Sequence, residues 1–196
     1  MIETAKGIPE FQDNGYLPHK CYEVTLEEIK EKLVDNFPNS KTRDSRFECF
    51  LDFYEDLLNN VKSCVKILID GSFVEKRTHP NDIDLVIIID SELLNEFEYN
   101  YLNNECVYNE TIKEDYLYIK YSVDNGEIDQ SELYKTDFYK FGCDIHYFPK
   151  YSPDHPLYLK YEERLNYWIE LFGSDRRGFP KGFLSLLVEY GDENEY

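Results

Sequence analysis

Asp82 and Asp84 are the two residues of this chain best placed to do chemistry. In an extended strand alternate side chains share a face, so both carboxylates point the same way. Two such groups repel unless a cation joins them, and a hard divalent ion such as magnesium suits their oxygens. The chain holds 40 acidic residues, and at that density chance alone gives roughly eight acid-x-acid pairs. The pair therefore takes its meaning from context. A β-rich run over residues 64–70 ends in Gly71-Ser72, nine residues intervene, and a second strand opens at Asp82. Gly71 lets the backbone approach a phosphate, and its amide and that of Ser72 can donate to it. Such a site suits nucleotidyl transfer with two metal ions. One lowers the pKa of an attacking hydroxyl; the other neutralises the triphosphate and the leaving pyrophosphate.

A third carboxylate on a neighbouring strand is needed to complete the catalytic metal's shell. Asp144, at the start of an apolar strand over residues 143–148, is the first candidate, and Asp137 is its rival. His146 shares the parity of Asp144; it either lines the site or is an ordinary half-buried histidine. Arg176, Arg177 and Lys181 are candidates for holding a γ-phosphate. We place Lys181 first as a nucleotide-binding residue, with solvated surface charge the alternative for all three. The bland reading of the whole constellation is a pair of solvated acids beside an ordinary turn.

Several elements must position these groups. Thr25 and Glu28 form a capping box that opens a helix to about residue 37. Residues 43–61 form a second helix, with Phe47, Phe50, Leu51, Tyr54 and Leu57 on one face. Past Asp84 the run to Ile89 is apolar on both faces, which predicts a central strand covered on both sides. Residues 91–98 read as a short helix, 116–122 as a strand and 149–156 as a loop. A helix over 157–172 carries Trp168, Ile169 and Phe172. Residues 1–24 read as irregular, and 181–190 as an apolar segment of undecided type. The organisation is a single domain over 1–190 with N-terminal helices, then a flexible acidic tail over 191–196.

Composition limits the partners. The net charge of −19 repels duplex DNA at long range, so a non-specific duplex binder is excluded. The five cysteines include no closely spaced pair, which argues against a zinc site or a disulfide framework. The opening residues hold no apolar run, and no stretch of about 18 apolar residues occurs. We therefore expect a cytoplasmic chain with reduced thiols and no membrane span.

Gly71-Ser72, then Asp82-Ile83-Asp84, then Asp144 resemble the polymerase-beta-like nucleotidyltransferase superfamily. That resemblance implies an α/β (α+β) fold, a palm in which a mixed β-sheet is flanked by helices. It also implies two Mg2+ ions, with Mn2+ as a substitute, and a nucleoside triphosphate, dATP or ATP. By it, Asp82 and Asp84 bridge both metals, Asp144 binds the catalytic metal, and Ser72 contacts the triphosphate. The motif does not fix the acceptor.

The wider sequence narrows the resemblance. The run Gly71-Ser72-Phe73-Val74, the run Pro80-Asn81-Asp82-Ile83-Asp84-Leu85, the helical lead-in and Lys181-Gly182-Phe183 are similar to small bacterial defence nucleotidyltransferases, among them the Hailong anti-phage family. This likeness implies a template-independent DNA polymerase that makes single-stranded oligodeoxyadenylate from dATP. Synthesis would be primed on the C-terminal tyrosine, and the single-stranded DNA product would restrain a partner effector, Hailong protein A. The tail is compatible with that role. Six extended residues reach about 20 Å, enough to carry the Tyr196 hydroxyl into a cleft. Its phenol pKa of about 10 is within reach of a metal's effect. Two other readings stand beside it. One is an antitoxin that adenylylates a partner toxin, with an aminoglycoside nucleotidyltransferase as a variant. The other is a catalytically inactive nucleotide-binding module.

Overall fold

The computed structural model describes residues 2–98, 101 and 143–188. Among these residues six strands form one mixed sheet. They are β1 (Thr4–Lys6), β2 (Cys21–Val24), β3 (Cys64–Asp70), β4 (Asp84–Asp90), β5 (Asp144–Lys150) and β6 (Phe183–Leu187), in the order β1-β2-β6-β3-β4-β5. The pairs β1–β2, β2–β6 and β4–β5 are parallel, and β6–β3 and β3–β4 are antiparallel. Helices flank both faces, so the chain is a mixed α+β protein. No helix among the described residues is long and apolar enough to cross a membrane.

Helix α1 (Leu26–Ile29) starts at the expected capping box, with Thr25 and Glu28 each binding the other's backbone. It continues as a wider π-type turn (Lys30–Asp35). Helix α2 (Arg43–Asn60) buries Arg43, Arg46, Phe47, Phe50, Phe53 and Leu57. That spacing is one helical stripe, and it seals one face of the sheet over Ile67, Ile69, Leu85, Ile87 and Leu184. Helix α3 (Tyr158–Phe172) seals the other, with Trp168 and Phe172 against Leu68, Val86, Ile88, Phe148 and Phe183. Strand β4 is rich in β-branched residues and alternates between these two cores, as its unbroken apolar run predicts.

Several expectations need correction. The strand opens at Asp84 rather than Asp82, so Asp82 lies in the irregular approach to it. Residues 1–24 hold two short strands, and the undecided segment after residue 181 is β6. Strand β5 runs on through Pro149, where a loop was expected. Residues 91–93 form turns, and helix begins at residue 96. The expected strand at 116–122, Asp137 and the tail with Tyr196 lie outside the described residues.

Candidate active site

Strand register builds the site. Asp70 stands opposite Asp84 in the antiparallel β3–β4 pair, and Asp84 stands beside Asp144 in the parallel β4–β5 pair. Three aspartates therefore form a row across three adjacent strands. Their parity matches Leu68, Val86 and Phe148, so they face the side covered by α3. The Asp144 amide also donates to the Ile83 carbonyl (2.9 Å), which locks the start of β5 beside the Asp82–Asp84 segment.

Gly71 makes the turn that leads out of β3. Its φ of 86° lies in the left-handed region that favours glycine. A Cβ there would come within 3.0 Å of the Asp82 carbonyl oxygen and of the Asp84 nitrogen. The turn continues as one 3-10 turn (Ser72–Val74). The Ser72 amide donates to Asp82 Oδ1 (2.8 Å), and its hydroxyl donates to the same oxygen. The Ser72 hydroxyl in turn accepts from the amides of Asn81 (2.9 Å) and Asp82 (3.3 Å). The Ser72 donors therefore hold the Asp82 carboxylate. Asp82 is thus fixed by a serine rather than by the pleat of a strand.

The electrostatics are those of crowded carboxylates. Burial, then Asp82 and Asp144, push the Asp84 carboxyl up to about 7. Asp144 is more open, its side chain 44% exposed, with His146 Nε2 3.4 Å from its Oδ1. That contact raises the His146 pKa, against the effect of partial burial. The His146 ring lies 4.8 Å from Trp168. Among the described residues no set of three or more His, Cys, Asp or Glu side chains already stands within joint reach of one cation. The donors Asp82, Asp84 and Asp144 nevertheless fit a hard cation in kind, because all three are carboxylates and the Asp84 charge is disfavoured first by burial and then by the other two.

Lys181 is not a solvated surface charge. It is buried, and its ammonium donates to both Asp70 oxygens (2.7 and 2.6 Å), with Glu75 Oε1 3.9 Å away. Burial raises the Asp70 carboxyl, and Lys181 opposes that rise. Arg176 and Arg177 are exposed, and Arg177 pairs with Asp175 (3.0 Å).

The residues read as important in the sequence thus fall in two groups. Gly71, Ser72, Asp82, Asp84 and Asp144 come together, with Lys181 tied in through Asp70. Tyr196 lies outside the described residues. Sequence reasoning passed over Asp70, Arg43 and Arg46. Asp70 is the last residue of an apolar strand and immediately precedes Gly71. The arginines fall in phase with the apolar stripe of α2, and that phase was the available signal. The cysteines Cys21 and Cys49 are free thiols.

Residues 9–187 match the sequence model of a family described as a family of unknown function (DUF6932), and the chain belongs to that family. No curated protein and no solved structure matches the chain.

Proposed function

We propose that the chain is a metal-dependent nucleotidyltransferase of the polymerase-beta type, with the sheet serving as its palm. The observation that carries this reading is the convergence of Asp82, Asp84 and Asp144 beside the Gly71-Ser72 turn, with Asp84 pushed up to about 7 by burial first and then by its two neighbours. A site built from mutually repelling carboxylates is completed by cations. Asp82 and Asp84 would hold two magnesium ions between them, and Asp144 would complete the shell of one. When bound, the ions activate the acceptor hydroxyl and neutralise the triphosphate.

The chain's own residues do the rest. Ser72 and Gly71 orient Asp82 and set the backbone edge along which a triphosphate lies. Lys181, held by Asp70, adds positive charge beside the row. The acceptor oxygen forms a bond to the α-phosphorus and gives up its proton to a base. The bond from that phosphorus to the bridging oxygen breaks, and pyrophosphate leaves with the electron pair. The proposed donor is dATP and the proposed acceptor the Tyr196 hydroxyl, which would make a protein-primed, single-stranded oligodeoxyadenylate. A role in anti-phage defence with a partner effector such as Hailong protein A belongs to the same proposal.

The test is incubation of the full chain and Mg2+ with each common ribo- and deoxynucleoside triphosphate, followed by mass analysis of protein and free products. A ladder of added nucleotides with dATP, lost in Asp84→Ala and in Tyr196→Phe, is the expected result. A ladder that survives Tyr196→Phe overturns the priming assignment. Transfer that survives Asp84→Ala overturns the site.

A further inference from the structure

Arg43 is fully buried, yet no carboxylate pairs with it among the described residues. An arginine has five N–H donors in a fixed fork, and all five are used on backbone carbonyls. Nε donates to Arg77 (3.1 Å), Nη1 to Leu33 (2.8 Å) and Phe73 (2.7 Å), and Nη2 to Glu75 (2.5 Å) and Arg77 (2.7 Å). Its guanidinium also lies 3.8 Å over the Phe37 ring. Four of the five bonds go to residues 73–77, the stretch that follows Gly71-Ser72. Carbonyls 73, 75 and 77 all turn inward onto one cation, so the curvature of this stretch is moulded on the guanidinium. From the next turn of α2, Arg46 Nε donates to the Asn81 carbonyl (3.1 Å), and from the residue just before the helix Thr42 Oγ1 donates to that of Pro80 (2.9 Å). The start of α2 thereby grips both ends of the connection that presents Ser72 and Asp82.

We infer that Arg43 is the positioning residue of the donor half of the site, holding the 73–77 backbone so that Ser72 can fix the Asp82 carboxylate. This rests on the reading of Ser72 and Asp82 as donor-site residues. A lysine keeps the charge but has three donors on a point-like head, so it cannot span carbonyls 73, 75 and 77 together.

The experiment compares wild type, Arg43→Lys and Arg43→Gln, as full chains, by amide hydrogen exchange and by titration with Mn2+ alone. Both variants should lose protection across residues 71–82 while the β3 and β4 amides keep theirs. Mn2+ affinity should fall by about ten- to a hundredfold, as when a group orienting a metal ligand is removed. Unchanged exchange at 71–82 in both variants overturns the inference. So does a uniform loss of protection across the whole sheet, which would make Arg43 a general support of the fold. So does Mn2+ affinity equal to wild type despite a loosened loop. If wild type itself binds no Mn2+, the metal reading fails, and the exchange pattern alone then decides what Arg43 holds.

Discussion

Asp84 carries the strain of the site. Its folded pKa of about 7 lies above the unfolded aspartate value of about 3.9. Between those values the folded state binds the extra proton, so folding stability falls as pH rises from about 4 to about 7. Asp70, raised by its own burial, contributes with the same sign. Thermal melts against pH in EDTA should show this fall for wild type and a shallower one for Asp84→Asn. Equal slopes would mean that the Asp84 charge does not carry it. Lys181 makes the opposite case, a buried charge whose partner is indispensable. Lys181→Met strands Asp70, at a cost of about 3–5 kcal/mol in denaturant unfolding. Combining it with Asp70→Asn should recover much of that loss, because no uncompensated charge then stays buried. A double variant as unstable as the single one would contradict this account.

At the scale of elements, the connection from β3 to β4 is the feature to probe. Its geometry begins with a positive φ at Gly71 and a backbone approach that leaves no space for a side chain. Gly71→Ala should destabilise the fold by about 1–3 kcal/mol from backbone strain, and the contacts with Asp82 and Asp84 add to that. Chemical denaturation measures the loss; a variant as stable as wild type would show that the turn relaxes freely. The long elements were legible because each satisfies its own rule: a capping box, a helical stripe, an apolar strand. Strands β1 and β2 were not, because they have only three and four residues; β2 becomes a strand by pairing with β6, and β1 by pairing with β2. Pro149 argued for a loop, since a proline cannot donate to a ladder. Among the described residues β5 stands at the end of the strand order, so Pro149 leaves no described neighbour without a donor.

For the molecule as a whole, the excess of acid has two parts that only the fold separates. Most of the −19 net charge is a diffuse field that repels polyanions and is screened by salt. A small part is focused at one end of β3, β4 and β5, where burial makes the Asp70 and Asp84 charges costly. Local pattern was enough to mark Gly71, Ser72, Asp82, Asp84 and Asp144, because strand ends and turn residues announce themselves within a few positions. The sequence by itself also determined α2, α3 and the two-sided burial of β4, since periodicity is a local property. It could not say that Asp70 and Lys181, 111 residues apart, would share a buried contact. Nor could it say that Arg43 would reach 34 residues along the chain to Arg77. Those contacts depend on which strands lie side by side and which helix covers them. Only the tertiary structure decides that, because a buried charge finds its partner through the packing of the whole sheet.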